Sequence, residues 1–156
     1  IGMVGLDPQD GITLLPDISS WKTYRDDELG FEVKYPNSWL VDQTDTYVGV
    51  SPCTSLQEVQ DKYYVCGFLT FAKNVQSGSL ESLLQNQYSK PNGFTLIEER
   101  NIGGFKLAKL GATGSEAQYY LLNDAKQGKT IQLTNREGLI DQATFNQILA
   151  TFRFVE

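Results

Sequence analysis

Leu29-Gly30-Phe31-Glu32-Val33-Lys34-Tyr35-Pro36-Asn37-Ser38-Trp39 is the stretch that decides the fold. Phe31, Val33 and Tyr35 recur at period two and fall on one side of an extended chain, while Glu32 and Lys34 fall on the other. Gly30 supplies a turn before this strand. Pro36, which has no backbone N–H to donate, ends its ladder. Trp39 then opens a new direction with a large apolar surface to bury. The pattern speaks of architecture and carries no chemistry of its own.

Working outward, Trp21 to Tyr24 predicts a partner strand, joined to the first through the acidic turn Asp26-Asp27-Glu28. Trp39 to Val50 predicts further strand, broken at Asp42 to Asp45. Tyr63 to Ala72, rich in Tyr, Val and Phe, predicts the strongest strand of the chain. A helix is expected over Leu80 to Lys90: Ser79 caps it, Glu81 suits its first turn, and Leu80, Leu83, Leu84 and Tyr88 form one stripe. Pro91-Asn92-Gly93 ends it. Phe94 to Arg100 and Phe105 to Leu110 predict a hairpin around Asn101-Ile102-Gly103-Gly104. Gln118 to Leu122 and Thr130 to Thr134 predict another strand pair. A last helix is expected from Asp141 to Thr151, with Phe145, Ile148, Leu149 and Phe152 at helical spacing. Strands, helix, antiparallel strands and helix in that order make an α+β domain. Residues 1–20, with two prolines, three glycines and no apolar period, are expected to be an N-terminal linker, and residues 21–156 the domain.

A chain of 156 residues with 40% hydrophobic content is long enough and apolar enough to build a real core. Its net charge of −6 and the lack of any Lys/Arg cluster argue against nucleic acid as a partner. Histidine is absent. That removes Ser-His-Asp and Cys-His catalysis and nearly every catalytic zinc site, leaving an enzyme only carboxylate, lysine or tyrosine chemistry. The longest uncharged runs are too short and polar to span a membrane. Because the chain opens on Ile1, it is expected to be a piece of a longer protein, with any anchor or signal lying upstream.

Cys53 and Cys66 have twelve residues between them. That is too wide for a Cys-x-x-Cys redox pair, and two thiols without histidine do not close a zinc site. A disulfide between them is favoured over two unrelated buried thiols, and it points to an oxidising compartment.

The Gly30-Phe31…Tyr35-Pro36…Trp39 opening, the helix at Leu80 to Tyr88, the Gly103-Gly104 hairpin and the closing Phe145-x-x-Ile148-Leu149-x-x-Phe152-x-Phe154 occur together in this chain. With these elements the chain resembles the PsbP-like family, from Trp21 to Val155. The resemblance implies an α-β-α sandwich, a central antiparallel sheet with helices on both faces. It implies as relatives extrinsic photosystem subunits, eukaryotic proteins that bind a nuclear GTPase, and bacterial extracytoplasmic lipoproteins or surface domains. Metal sites proposed in photosystem members depend partly on histidine, so no metal ligand and no photosystem role carries over.

The remaining candidates for chemistry are few. Asp26, Asp27 and Glu28, with Asp42 and Asp45 nearby, would be hard oxygen ligands for calcium, although a solvated turn is the ordinary reading. Asp7-Pro8-Gln9-Asp10-Gly11 matches only part of a calcium loop. Ser19-Ser20-Trp21-Lys22 fits Ser-x-x-Lys, a pairing that needs a helix to bring serine and lysine together. Gly111 to Gly114 and Gly103-Gly104 offer backbone donors, but hairpin turns account for both. Of the pairs Tyr63-Tyr64 and Tyr119-Tyr120, one member each would face outward as an interface or pack beneath a helix. The expectation is a protein that is not an enzyme and has no cofactor or metal: an extracytoplasmic module, tethered upstream, that binds another protein at the cell envelope. A solute- or metal-binding lipoprotein domain is the alternative, and a carboxylate hydrolase the least favoured class.

Overall fold

The computed structural model of the protein describes residues 18–136 and 138–155, apart from the side chains of Tyr63 and Tyr64. In chain order its strands and helices are β1 (Lys22–Asp26), β2 (Phe31–Tyr35), β3 (Leu40–Gln43), β4 (Tyr47–Ser51), α1 (Leu56–Cys66), β5 (Phe68–Ala72), β6 (Gln76–Ser77), α2 (Leu80–Asn86), β7 (Phe94–Ile102), β8 (Phe105–Ala112), β9 (Gln118–Asp124), β10 (Lys129–Arg136), α3 (Gln142–Thr151) and β11 (Arg153–Phe154). Residues 1–17, with the Asp7–Asp10 motif and most of the expected linker, lie outside the described residues.

Alternation at Phe31, Val33 and Tyr35 puts three buried side chains on one face of β2. β1 pairs with it antiparallel from Lys22↔Tyr35 to Asp26↔Phe31, and β11 closes the other edge, giving a small sheet ordered β11-β2-β1. The large sheet runs β3-β4-β5-β10-β9-β8-β7, all antiparallel, with β6 added to β10. Period-two alternation sorts its side chains onto two faces. Leu69, Phe71, Leu107, Tyr120, Leu122, Ile131 and Leu133 face the small sheet and α3, where Phe145, Ile148, Leu149 and Phe152 complete the main core. Ala108, Leu110 and Leu121 face the opposite way, against Leu80, Leu83 and Tyr88. Phe68 faces that same way, against Val59 of α1. The result is the expected α+β arrangement of helices on both faces of an antiparallel sheet.

The caps explain the helix boundaries. Ser79 accepts the N–H of Ser82 at 3.1 Å at the start of α2, and Asp141 accepts that of Thr144 at 3.1 Å at the start of α3. Helix α2 stops at Asn86, short of the expected Lys90; Lys90–Asn92 forms a 3-10 turn that Gly93 ends in the left-handed region. Buried Asn135 accepts the Ile140 N–H and donates to the Ile140 carbonyl, fixing the approach to α3.

One expectation is overturned. Tyr63 to Cys66 is not strand: a helix runs from Leu56 to Cys66, with an interruption at Lys62, and strand begins only at Phe68. Ser55 caps this helix by accepting the Glu58 N–H, while Glu58 accepts the Thr54 N–H. These two bonds satisfy donors at the helix start, so the polar segment 54–62 is ordered by its caps together with the one buried apolar anchor, Val59. Gly67, at φ +99°, breaks the helix and starts β5.

Candidate functional site

Several of the described groups that the sequence marked for chemistry are held in structural tasks. In the acidic turn, one Asp26 oxygen accepts the N–H groups of Glu28 and Leu29, and the other accepts the Tyr24 hydroxyl at 2.8 Å. Asp27 pairs with Arg25 at 2.7 Å on the surface. Asp42 is buried in β3 with the Tyr47 hydroxyl at 3.4 Å, and Asp45 is exposed in the next turn. Among the described residues these five carboxylates do not converge as a ligand set. Ser19 lies in a 3-10 turn and Lys22 opens β1, and both are exposed. Gly103, at φ +55°, makes the exposed β7–β8 turn. The Gly111–Gly114 segment spends the Thr113 N–H on the Gly93 carbonyl.

The tyrosines are equally occupied. Tyr120 is buried toward α3, its ring 4.4 Å from that of Phe145. Its neighbour Tyr119 turns to the opposite face and packs on Phe94, as strand alternation requires. Burial, reinforced by the negative charge of Glu98, pushes the Tyr120 phenol up to about 12. Burial and the hydrogen bond to Asp26 raise the Tyr24 phenol, and burial also raises that of Tyr88. Phenols held neutral in this way are poor bases and nucleophiles. The tyrosines at 63 and 64 belong to α1 rather than to a strand, and their side chains lie outside the described residues.

Lys129 has a task that its sequence position did not announce. It reaches from β10 to donate to the Leu29 and Gly30 carbonyls at 3.2 and 3.3 Å, with its ammonium 5.3 Å from the centre of the Phe154 ring. It therefore ties the large sheet to the turn that opens β2. Gly30 makes the contact possible, since any Cβ there would collide with the Lys129 ammonium.

Cys53 and Cys66 are joined as a disulfide, their Cα atoms 5.3 Å apart and within the range such a bridge requires. The bridge links the end of β4 to the last residue of α1. Ser51 supports it by donating to the Gly67 carbonyl at 2.7 Å and accepting the Cys53 N–H at 3.1 Å. Glu58 lies beside the two sulfurs, with all three potential ligand atoms within 4.8 Å of one another. The Ser55-x-x-Glu58 spacing was the available signal for this placement, because it marks a helix start that turns Glu58 back toward the preceding residues.

Open depressions gather where the β7–β8 and β9–β10 turns meet. One of about 340 Å³ is lined by Ser79, Glu81, Glu99, Lys106 and Asn123 among others. Another, of about 210 Å³, has Phe105, Phe152 and Phe154 with Asp124, Lys126 and Arg153. On the outer edge of the large sheet, Leu96 and Ile97 of β7 are 43% and 57% exposed.

No family model and no curated protein matches the chain. A solved structure does: the solution structure of cyanobacterial PsbP from Synechocystis superposes with a TM-score of 0.53 at 16% identity, covering 95% of this chain and 98% of that one. The fold is thus PsbP-like.

Proposed function

We propose that this chain is a non-catalytic extracytoplasmic module that binds another protein at a cell envelope. Leu96 and Ile97 carry the proposal: two large apolar side chains stand exposed on an edge strand that pairs, among the described residues, only with β8. The pairing slips between Lys109 and Leu110, leaving Ile97 as a bulge, and Glu98, Glu99 and Arg100 follow it. A bulge and charges are the devices that blunt a sheet edge against indiscriminate strand addition. What they leave for a specific partner is two exposed apolar side chains along the edge. The PsbP-like fold and the disulfide support placement outside the cytoplasm. A solute-binding lipoprotein domain draws less support, because the depressions are open and mixed in polarity where such ligands need enclosure.

Two measurements test this. Protein taken from its native host under alkylating conditions should show no free thiols by intact mass; two alkylated cysteines would remove the compartment argument. The paired substitution Leu96→Asp and Ile97→Asp should leave the melting temperature nearly unchanged and abolish cross-linking to envelope proteins. Undiminished cross-linking to the same species would show that β7 is not the docking surface.

A further inference from the structure

The cysteine pair has a third neighbour that the mechanical role of a disulfide does not use. Cys53 is buried, Cys66 and Glu58 are half-buried, and their two sulfurs and a carboxylate oxygen lie within 4.8 Å of one another. Glu58 is held there. One of its oxygens accepts both the N–H and the hydroxyl of Thr54, at 2.8 and 3.2 Å, which orients the carboxylate beside Cys53. Its other oxygen has no partner among the described residues. A carboxylate held by hydrogen bonds that keeps an oxygen unpartnered is how metal-binding carboxylates are commonly arranged.

We propose that Cys53, Cys66 and Glu58 form a redox-gated site for a thiophilic divalent cation, closed as the disulfide and opened by reduction. A dithiol reductant delivers two electrons and two protons to the sulfur pair and leaves as its own disulfide. The cation then displaces both thiol protons to solvent and binds two thiolates and one carboxylate, with a fourth position for water. Thiolate ligands select zinc-like or cadmium-like ions over magnesium or calcium. Metal–sulfur bonds of about 2.3 Å place the two sulfurs about 3.8 Å apart in a tetrahedral site. The Cα separation of 5.3 Å admits that opening. Without a cation, reduction cuts the tether between the end of β4 and the end of α1. With a cation, the tether across α1 is restored.

The test uses the full chain, reduced anaerobically with a phosphine, desalted and titrated with cadmium. Thiolate-to-metal charge-transfer absorption should rise and saturate at one ion per chain, with near-ultraviolet circular dichroism kept or recovered and the melting temperature raised. The oxidised protein should show no such absorption. Glu58→Gln keeps an oxygen for Thr54 and so should leave the oxidised protein's melting temperature unchanged, while weakening cadmium binding to the reduced protein by at least about tenfold. Any of three results would overturn the proposal. These are a reduced protein that gives no saturating absorption, a Glu58→Gln variant of wild-type affinity, and an equal signal from the oxidised chain.

Discussion

Replacing Gly30 with alanine tests the junction on which the two sheets depend. Gly30 sits at φ +80°, where a side chain costs about 1–2 kcal/mol. The new methyl group also meets the Lys129 ammonium, which can swing away only by giving up its hydrogen bonds to the Leu29 and Gly30 carbonyls. Charged hydrogen bonds are each worth about 1.5–3 kcal/mol. Lys129 is only partly buried and its bonds are long, so a combined loss of about 2 kcal/mol is the better figure. The expected total is about 3 kcal/mol, or a fall in melting temperature of about 10 °C for a domain of this size. In a Lys129→Met background those bonds are already gone and a flexible thioether faces the methyl group, so Gly30→Ala should cost only the backbone term. The double-mutant cycle, read by thermal and urea unfolding, should therefore return a coupling of about 2 kcal/mol. An equal cost of Gly30→Ala in both backgrounds would show that Lys129 does not hold the β1–β2 turn to the large sheet.

Two other perturbations probe α3. Leu149 is 2% exposed in the main core, so Leu149→Asp should cost at least about 4 kcal/mol by combining a lost side chain with a buried charge; an unchanged urea midpoint would remove α3 from the core. Asp141 caps α3, and its hydrogen bonds with Thr144 lower its pKa from the ordinary aspartate value. A depressed folded-state pKa contributes stability that is present above the unfolded value of about 3.9 and lost as pH falls through the folded value. Asp141→Asn, which keeps a capping oxygen, should match wild type at acid pH and fall slightly below it near neutrality; a stability gap that stays constant across this range would refute the role of the charge.

Much of the fold was legible in local pattern. Period-two alternation at Phe31, Val33 and Tyr35, the Gly103-Gly104 turn, the Ser79 cap and the helical spacing of Phe145, Ile148, Leu149 and Phe152 are short-range physics. Each acts between residues a few positions apart, so the chain itself announces β2, the β7–β8 hairpin, α2 and α3. The run Tyr63-Tyr64-Val65-Cys66 misled because aromatic and β-branched residues favour strand when taken alone. Its helical state follows from an upstream cap at Ser55 and Glu58, from Val59 buried against Phe68, and from the tether to Cys53. Two of those three are contacts across the fold, and propensity yields to such packing. Ser55-x-x-Glu58 marked the helix start that turns Glu58 back, but nothing local could place Lys129 on carbonyls about a hundred positions away. Pairings at that separation depend on which strands become neighbours in the sheet. That choice is made by the burial of whole faces against one another, and no local window of residues contains it.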